Sequence, residues 1–349
     1  MNLYIHGTGI LSAAGNNGEE DFLKNPPEYN TDRLLCKEPD YTAYIPPMQL
    51  RRMSKAVRMG IAASKISLHN AGVEKADAIS VGTAFGCLND TEVFLSKMVA
   101  QNEQMLTPTA FIQSTHNTVA GQIALLTGCY GHNLTYVHRG HSFEHAMINA
   151  QLYLNEHPTE KILVGGIEEL TETSLEVLKQ TGVYRKAKTS PANILNDYEE
   201  GSIAGEGASF FLVSQQPAAN NLCVKDIATF QTRDAKTALQ KLNDFLLRNE
   251  LRNDDLDLVM LGINGDKRNE EFYTALRTNV FSRVSQGCYK HICGEHPVAS
   301  AFGLGVISYA VKNSLPETSV LNHPPKQLKR VLLVNNFLHH YSCWYLEVA

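Results

Sequence analysis

The feature that most constrains the fold is the alternation of strand-like and helix-like segments along nearly the whole chain. The strand-like segments of the first half are short and mostly apolar: LYIHG, AISVGTAF, NLTYV, KILVGGIEEL and GASFFLVS. Helix-like segments lie between them, namely SKAVRMGIAASKISLHNAGV, AGQIALLTG and SFEHAMINAQLYLNEH. Strands that are separated by helices usually pair in parallel, so this pattern predicts an α/β fold.

The same alternation returns after the polar connector QQPAANN, residues 215–221. The second half has the strand-like segments CVKDIATF, DLVMLGING, RVLLVNNF and CWYLEV, with AKTALQKLNDFLLRN, NEEFYTALRT and VASAFGLGVISYAVKN as helices. Two stretches with a similar order of elements indicate an internal duplication, although no direct sequence repeat is visible. We therefore predict an N-terminal half at residues 1–214 and a C-terminal half at residues 223–349, together forming one compact unit.

Charge and composition exclude several classes of partner. The net charge is −5 and no block of Lys and Arg occurs, so nucleic acid is not an expected partner. The start of the chain lacks the basic region of a signal peptide, and VASAFGLGVISYAV is too short to span a bilayer, so we expect no membrane insertion. The seven cysteines lack paired spacing, which predicts reduced thiols in a cytoplasmic protein.

The segment NLTYVHRGHSFEHAMINAQLYL, residues 133–154, reads as a strand, a tight turn at Gly140 and a helix. Many enzymes place a nucleophile at such a turn, because a helix N-terminus stabilises a developing anion. No cysteine occurs at this turn, and the nearby hydroxyl belongs to Ser142. The run G-H-S-F-E lacks the second glycine of a nucleophile elbow. We therefore interpret Ser142 as a helix cap, with a catalytic serine as the lesser alternative.

Two other local patterns do not predict a bound cofactor. The run GTGILSAAG has Ser12 where a dinucleotide-binding loop needs its third glycine, so we interpret it as a tight turn after the first strand. His141 and His145 would share a helix face near His138, while Glu144 lies off that face. We expect packed or interfacial histidines there, with no metal and no cofactor.

The most specific pattern is an ordered series of segments that covers nearly the whole chain. These segments are IHGTGILSAAGNN, RRMSKAVRMGIAASKISLHNAGV, TPTAFIQSTHNTVAGQIALLTGCYG, KILVGGIEEL, GSIAGEGASFFLV, INGDKRNEEFY, YKHICGEHPVASAFG and NNFLHHYSCWYLEV. In this order they resemble the β-ketoacyl-carrier-protein synthase family of the thiolase fold. The resemblance implies a layered αβαβα architecture made of two pseudo-duplicated βαβ-rich halves.

The resemblance also implies a set of catalytic positions. In the family, a cysteine at a strand–helix turn takes the acyl chain from its carrier protein. Two histidines promote decarboxylation of the malonyl group and stabilise the enolate and the oxyanion, and a lysine supports the second histidine. Counted without gaps from Gly131 and back from Gly166, the nucleophile position falls on Gly140. The first histidine position, in an Asn-x-His pattern, falls on Asp266, whose charge would repel an enolate.

The remaining positions are changed in part. The lysine is kept as Lys290, whereas the second histidine position holds Glu295, with His296 one residue later. The Gly-Phe-Gly-Gly gate of the family becomes F-L-H-H at residues 337–340, and these bulky residues are expected to stiffen the loop. The fold signature is therefore retained, while the nucleophile, the histidines and the gate are not.

Relatives without the cysteine act as chain-length factors, which pair with an active synthase and shape its acyl tunnel. The resemblance thus implies a heterodimer with a Cys-containing ketosynthase, service to an acyl carrier protein, and a role in fatty acid, polyketide or aryl polyene biosynthesis. The segment AFIQSTHNT, residues 110–118, is expected to enter the pocket of the partner. The candidate acyl-pocket or interface residues are Phe111, Gln113, Thr115, His116, His141 and Phe337.

Two alternatives remain open at this point. One is an active acyltransferase or hydrolase with displaced groups, in which Ser142 or a nearby cysteine is the nucleophile. His141, His296 or His339 would then be the base. The other is a stand-alone homodimer that binds acyl carrier protein without a catalytic partner.

Overall fold

The computed structural model describes residues 2–20, 22–24, 29–218 and 220–349, so residue 219 of the predicted connector lies outside the described part. The strands are β1 (Leu3–Ser12), β2 (Gly15–Asn16), β3 (Arg33–Leu34), β4 (Ala78–Gly82), β5 (Asn133–Tyr136), β6 (Ile162–Glu168), β7 (Ala204–Gly205), β8 (Gly207–Ser214), β9 (Leu222–Gln231), β10 (Leu258–Leu261), β11 (Ser285–Cys288), β12 (Arg330–Phe337) and β13 (His340–Val348). The helices are α1 (Pro47–Leu50), α2 (Lys55–Asn70), α3 (Leu88–Ala100), α4 (Pro108–Gln113), α5 (Thr118–Thr127), α6 (Ser142–Glu156), α7 (Glu172–Gln180), α8 (Ala235–Arg248), α9 (Glu270–Ala275), α10 (Lys290–Cys293) and α11 (Ala299–Lys312).

The large sheet repeats one pairing scheme in its two halves. The strand order in the first half is β5-β4-β6-β8-β1, and in the second half it is β11-β10-β12-β13-β9. In each half the three outer strands are parallel, and the two inner strands are antiparallel to their neighbours. β1 and β9 pair across the middle and join both halves. The predicted α/β class and the pseudo-duplication are thus present in the structure.

The helices form layers around the two halves of the sheet. α2 and α5 pack on the outer face of the first half, in a cluster that includes Met59 and Ile123. α8 and α9 pack on the outer face of the second half, in a cluster that includes Phe245 and Phe272. α6 and α11 lie between the halves, in a central cluster that includes Phe143. α11 is apolar almost all round, as expected of a helix that is buried between the two halves of the sheet. This is the expected αβαβα layering.

The predicted domain division remains a prediction, although the positions of the strands agree with it. β8 ends at Ser214 and β9 begins at Leu222, so the connector lies between the last strand of one half and the first strand of the other. The central hydrophobic cluster contains residues of both halves, for example Phe211 and Trp344. The two halves therefore share one core.

The glycine-rich run at residues 7–15 ends in the predicted turn, which joins β1 to β2, but most of the run belongs to the strand itself. Gly7 and Gly9 lie inside β1, which continues to Ser12, and they are not part of a turn after a short strand. A Cβ at Gly9 would lie 1.9 Å from the carbonyl oxygen of Ala63 on α2. The glycines are needed because the backbone of α2 lies directly against β1.

Two further observations concern the cysteines and the helices. All seven cysteines are buried and have free thiols. Among the described residues, no helix is both long enough and apolar enough to cross a membrane.

Candidate functional site

The turn between β5 and α6 is a single 3-10 turn, Arg139–His141. The Ser142 hydroxyl closes this turn, because it accepts a hydrogen bond from the backbone N–H of His138 at 2.9 Å and donates one to the carbonyl of Arg139 at 2.8 Å. The helix N-cap is His141, without a side-chain capping bond, so the interpretation of Ser142 as the cap was wrong. Ser142 is fully buried and both of these bonds are to backbone groups, which disfavours it as a nucleophile.

Gly140 lies at the apex of this turn and is buried. A Cβ at this position would lie 2.8 Å from the Cβ of Phe337 and 3.0 Å from the Cβ of His340. Contacts below 3.0 Å between such atoms require the backbone of one partner to move. The space that a nucleophilic side chain would need is therefore filled by the hairpin that joins β12 and β13.

This hairpin corresponds in position to the predicted gate. Phe337 pairs with His340, so the loop consists of Leu338 and His339 alone. Leu338 has a φ of 54°, and its carbonyl accepts a hydrogen bond from the side-chain amide of Asn336 at 3.0 Å. Phe337 is only 4% exposed. A short hairpin with a buried aromatic residue agrees with the expectation of a stiff loop, which remains a prediction.

Lys290 forms a buried ion pair with Glu295, the residue that the sequence predicts at the second histidine position. The Lys290 ammonium donates to Oε2 of Glu295 at 2.8 Å and to the carbonyl of Asn336 at 2.5 Å. The same carboxylate oxygen accepts a hydrogen bond from the side-chain amide of Asn264 at 2.7 Å. Burial raises the pKa of Glu295, and Lys290 opposes that rise. The lysine is thus held by a carboxylate and does not support an imidazole.

Close backbone contact fixes the position of Glu295. A Cβ at Gly205 would lie 2.2 Å from the carbonyl oxygen of Cys293, and Gly294 has a φ of 76°. The N–H of Glu295 donates to the carbonyl of Ile203 at 2.8 Å, and its own carbonyl accepts from Gly205 at 2.9 Å. Gly205 and Gly294 therefore both allow the close contact between the backbones of these two segments.

Asp266, which the sequence predicts at the first histidine position, is paired with a neighbouring arginine. Its Oδ1 accepts hydrogen bonds from the backbone N–H of Arg268 at 3.0 Å and from Nε of the same residue at 2.9 Å. Asp266 is 2% exposed. An ionised carboxylate has no N–H to offer to an enolate or an oxyanion, so the position cannot perform the stabilising role of a histidine.

The imidazole of His296 is buried near the ion pair of Lys290 and Glu295. Burial, followed by the charge of Lys290, lowers the pKa of His296 to about 3. Its Nδ1 has no hydrogen-bond partner among the described residues. The thiols are equally unsuited to nucleophilic attack, because burial raises the pKa of Cys288, Cys293 and Cys343 above the ordinary value.

The structure brings some of the sequence-predicted residues together. His141 is 3% exposed, its Nε2 lies 3.1 Å from the carbonyl oxygen of Tyr341, and its ring centroid lies 4.9 Å from that of His340. Gly140, His141 and Phe337 are thus one cluster at the turn. A second cluster contains Lys290, Glu295 and Asp266, and hydrogen bonds of Asn264 connect the two acidic residues.

The candidates of the 110–118 segment lie elsewhere, on the surface of the first half. Phe111 is 57% exposed and its ring centroid lies 5.6 Å from that of Phe94. Gln113 donates to the carbonyl of Arg52 at 2.9 Å. The Oγ1 of Thr115 lies 3.0 Å from that of Thr118. His116 is exposed. Their assignment to an acyl pocket stays a prediction.

Three buried glutamates were missed as structural residues by the sequence analysis, although they stand in the quoted GGIEEL and GEGA motifs. Glu168 accepts from the backbone of Phe85 at 3.3 Å and from that of Ala84. Glu169 accepts from the N–H of Asn89 at 3.0 Å, and Glu206 from that of Leu170 at 3.0 Å. These carboxylates tie the loops that surround the site to the ends of β6 and β8.

An apolar surface surrounds the edge strand β5. β5 is the last strand of its side of the sheet and pairs with β4. The exposed apolar side chains on and around it are Leu125, Tyr130, Leu134, Val137 and Leu152, with exposed fractions of 43–87%. We call these five residues the edge patch. Exposed patches of this kind next to an unpaired strand edge are typical of interaction surfaces.

A cleft of about 330 Å³ opens beside the edge patch. It is lined by Met53 in the loop before α2, by Val57 of α2 and by Leu126 of α5, and also by Leu125 of the edge patch. Gln113 and Thr118, at the two ends of the loop that joins α4 and α5, also line it. The cleft therefore adjoins both the edge patch and the 110–118 segment.

Comparisons with known proteins agree with this description. A family model described as beta-ketoacyl synthase, N-terminal domain, matches residues 28–223, which is more than half of the chain. A search of curated proteins found no match.

Solved structures that cover 100% of this chain share its fold at low sequence identity. The ishigamide ketosynthase/chain length factor has a TM-score of 0.78 and 14% identity over 99% of its own chain. A beta-ketoacyl synthase from Burkholderia phymatum STM815 has a TM-score of 0.79 and 14% identity over 99% of its own chain. A structure of the ketosynthase ApeO in complex with its chain length factor ApeC, from Xenorhabdus doucetiae, has a TM-score of 0.78 and 16% identity over 98% of the matched chain. At such identities these likenesses establish the fold.

Proposed function

The chain belongs to the β-ketoacyl synthase family, and from that membership we propose that it is a non-catalytic, chain-length-factor-type subunit that pairs with a Cys-containing ketosynthase. The observation that carries this proposal is the turn at Gly140, where Phe337 and His340 fill the space of a nucleophilic side chain. The pathway would be of the fatty acid or polyketide type, with aryl polyene biosynthesis as the specific case that we favour. The substrate is an acyl chain on an acyl carrier protein.

The other groups that chemistry would require are also engaged or neutralised. Lys290 is paired with Glu295, and Asp266 is paired with Arg268. The Ser142 hydroxyl is hydrogen-bonded to two backbone groups, the N–H of His138 and the carbonyl of Arg139. Losing a nucleophile abolishes the covalent route, so the condensation chemistry has to come from another chain.

The edge patch is the surface that we propose for that chain. An unpaired strand edge offers backbone groups, and the exposed apolar side chains around it would be removed from water on binding. The adjoining cleft lies beside the 110–118 segment, so an acyl chain held between the two subunits would come close to these residues. This arrangement supports a role in limiting the length of the product.

The proposal can be tested by co-expression with a Cys-containing ketosynthase from the same gene neighbourhood. Size and mass analysis should show a one-to-one complex. Replacement of Leu125 by Asp places a charge in the edge patch and should weaken the complex at least tenfold. The matched control is Leu247→Asp on α8, since the two leucines are 69% and 67% exposed and Leu247 lies outside the edge patch. The control should form the complex normally.

Two outcomes would contradict the proposal. Stable acylation of the isolated chain by an acyl thioester, seen as a mass shift that is lost in Ser142→Ala, would favour an active acyltransferase. A stable homodimer that binds acyl carrier protein but no ketosynthase would favour a stand-alone carrier-binding module. A complex that tolerates Leu125→Asp as well as Leu247→Asp would exclude the edge patch as the interface.

A further inference from the structure

Three histidines converge around the turn at Gly140. His138 precedes the turn, His141 ends it, and His145 lies in the first turn of α6. One nitrogen from each of the three rings lies within 4.8 Å of the other two. The sequence predicts packed or interfacial histidines here, and helical spacing places only His141 and His145 on one face. The 3-10 turn adds His138 to that face, and this could not be read from helical spacing.

The separation of two of these nitrogens matches a metal site. Nδ1 of His138 lies 3.2 Å from Nδ1 of His145. Two ligands of a tetrahedral zinc ion with bonds of about 2.0–2.1 Å lie roughly 3.3–3.4 Å apart. The two imidazoles therefore already stand at nearly the spacing that a shared ion requires. A modest shift of the side chains would bring the third nitrogen within reach.

The orientation of His141 is fixed in the manner of a metal ligand. Its Nε2 donates to the carbonyl of Tyr341 at 3.1 Å, which leaves the lone pair on Nδ1. Metal-binding histidines commonly donate their second ring N–H to a backbone carbonyl in this way. The Nδ1 atoms of His138 and His145 share a hydrogen bond, so one of them has to give up its proton when an ion binds.

We propose that His138, His141 and His145 form a binding site for one divalent transition-metal ion of the Zn²⁺ type. Three imidazoles without a carboxylate suit Zn²⁺, Co²⁺, Ni²⁺ or Cu²⁺ and not Mg²⁺ or Ca²⁺. His138 is exposed, so the site is open to solvent and leaves a fourth position for water or for a group of a bound partner. The charge of Arg139, in the same turn, opposes the ion and is expected to limit the affinity. This inference does not depend on the proposed function.

Titration of the purified full-length chain with Co²⁺ tests the site, because four-coordinate Co²⁺ has a characteristic ligand-field absorption. We expect one ion per chain, with displacement by Zn²⁺. His145→Ala should weaken binding by at least the roughly 10–100-fold that loss of an outer-shell partner costs. The matched control is His157→Ala, which removes an exposed histidine just beyond the same helix and should leave binding unchanged.

Thermal unfolding without metal serves to show that His145→Ala is folded. Absence of saturable Co²⁺ binding at one ion per chain, both in the isolated chain and in its complex with a synthase, would overturn the proposal. An equal loss of affinity in His157→Ala would also overturn it. Failure of metal binding and failure of complex formation are measured separately, so neither result can be mistaken for the other.

Discussion

At the scale of single residues, the turn before α6 depends on Gly140 having no side chain. In Gly140→Ala the new Cβ would meet the Cβ atoms of Phe337 and His340 at 2.8 and 3.0 Å. Overpacking of this kind typically costs about 1–3 kcal/mol, and we expect a loss of that size in urea unfolding. The matched control is Gly121→Ala on α5, where an added Cβ meets no atom within 4 Å. It should be neutral or stabilising by up to about 1 kcal/mol, and equal effects of the two changes would contradict the crowding at Gly140.

The buried pair of Lys290 and Glu295 leads to a second residue-scale prediction. Glu295→Gln would leave the Lys290 ammonium buried without a counter-charge. Breaking a buried ion pair costs on the order of 3 kcal/mol or more, which denaturant unfolding would detect. Glu176→Gln removes a carboxylate 2.9 Å from Lys179 that is 60% exposed, and its cost should stay below about 1 kcal/mol. If Glu295→Gln costs no more than this control, the pair has no structural role.

The assignment of residues to the family's catalytic positions stays a prediction, and the contacts of these residues could not be read from the sequence. The alignment of motifs assigns Gly140, Asp266 and Glu295 to the catalytic positions. The filling of the space at Gly140 comes from Phe337, almost two hundred residues later in the chain. The bond between Glu295 and Asn264 likewise depends on contact between two separate loops. Such contacts follow from tertiary packing, which local spacing does not encode.

At the scale of elements, Glu168 at the end of β6 holds the loop that follows β4. Its carboxylate accepts hydrogen bonds from the backbone of Ala84 and Phe85, and burial raises its pKa to about 8. A raised folded-state pKa contributes stability that is full below the ordinary pKa of 4.5 and is lost as the pH rises through about 8. Burial raises the pKa of the adjacent Glu169 to about 7, which acts in the same direction.

We therefore expect Glu168→Gln to gain stability relative to the wild type as the pH rises from 5 to 9. The gain should be on the order of 2–4 kcal/mol, at about 1.4 kcal/mol for each unit of pKa shift. Comparing variant and wild type at each pH cancels the contribution of His141 and His340, whose lowered pKa values of about 4 remove stability as the pH falls. Glu156→Gln, at the exposed end of α6, should give a flat difference. A flat difference for Glu168→Gln would show that its carboxyl group ionises as easily in the folded chain as in the unfolded one.

Two elements that were not predicted, α3 and β11, differ in their apolar content: α3 has the apolar-rich sequence LNDTEVFLSKMVA, whereas β11 has little apolar sequence. α3 (Leu88–Ala100) has no buried residue among its thirteen positions, and its Val93, Leu95 and Val99 are exposed. β11 has the sequence SQGC and owes its place to parallel pairing with β10. By contrast, the long buried helices α2, α6 and α11 and the strands β6, β8 and β12 were identified correctly. Apolar residues in a sequence therefore do not by themselves show that an element is buried, and a short strand such as β11 depends on its neighbour in the sheet.

At the scale of the whole molecule, the two halves repeat one order of pairing, and this was foreseen only as a pattern of elements. The layering follows from where each helix can bury its apolar side, and α6 and α11 can do so only between the two halves. The join between β1 and β9, through Leu3 with Val224 and Tyr4 with Cys223, could not be predicted, because neither strand has a feature that specifies its outer neighbour. β5 lies at the outer end of the first half, away from the join, so this edge of the large sheet is open to another chain.

If β5 is where a synthase binds, the 110–118 segment lies beside the acyl chain of the pair, and its side chains set the available length. Thr115 is half-buried and lies close to Thr118, which lines the 330 Å³ cleft. Thr115→Phe should take up part of that room, so the co-expressed pair should make products shorter by one or more extension units, as mass spectrometry of the extracted acyl chains would show. The matched control, Thr278→Phe, changes an exposed threonine of the C-terminal half and should leave the profile unchanged. An intact Thr115→Phe complex with an unaltered product profile would show that this segment does not limit the chain.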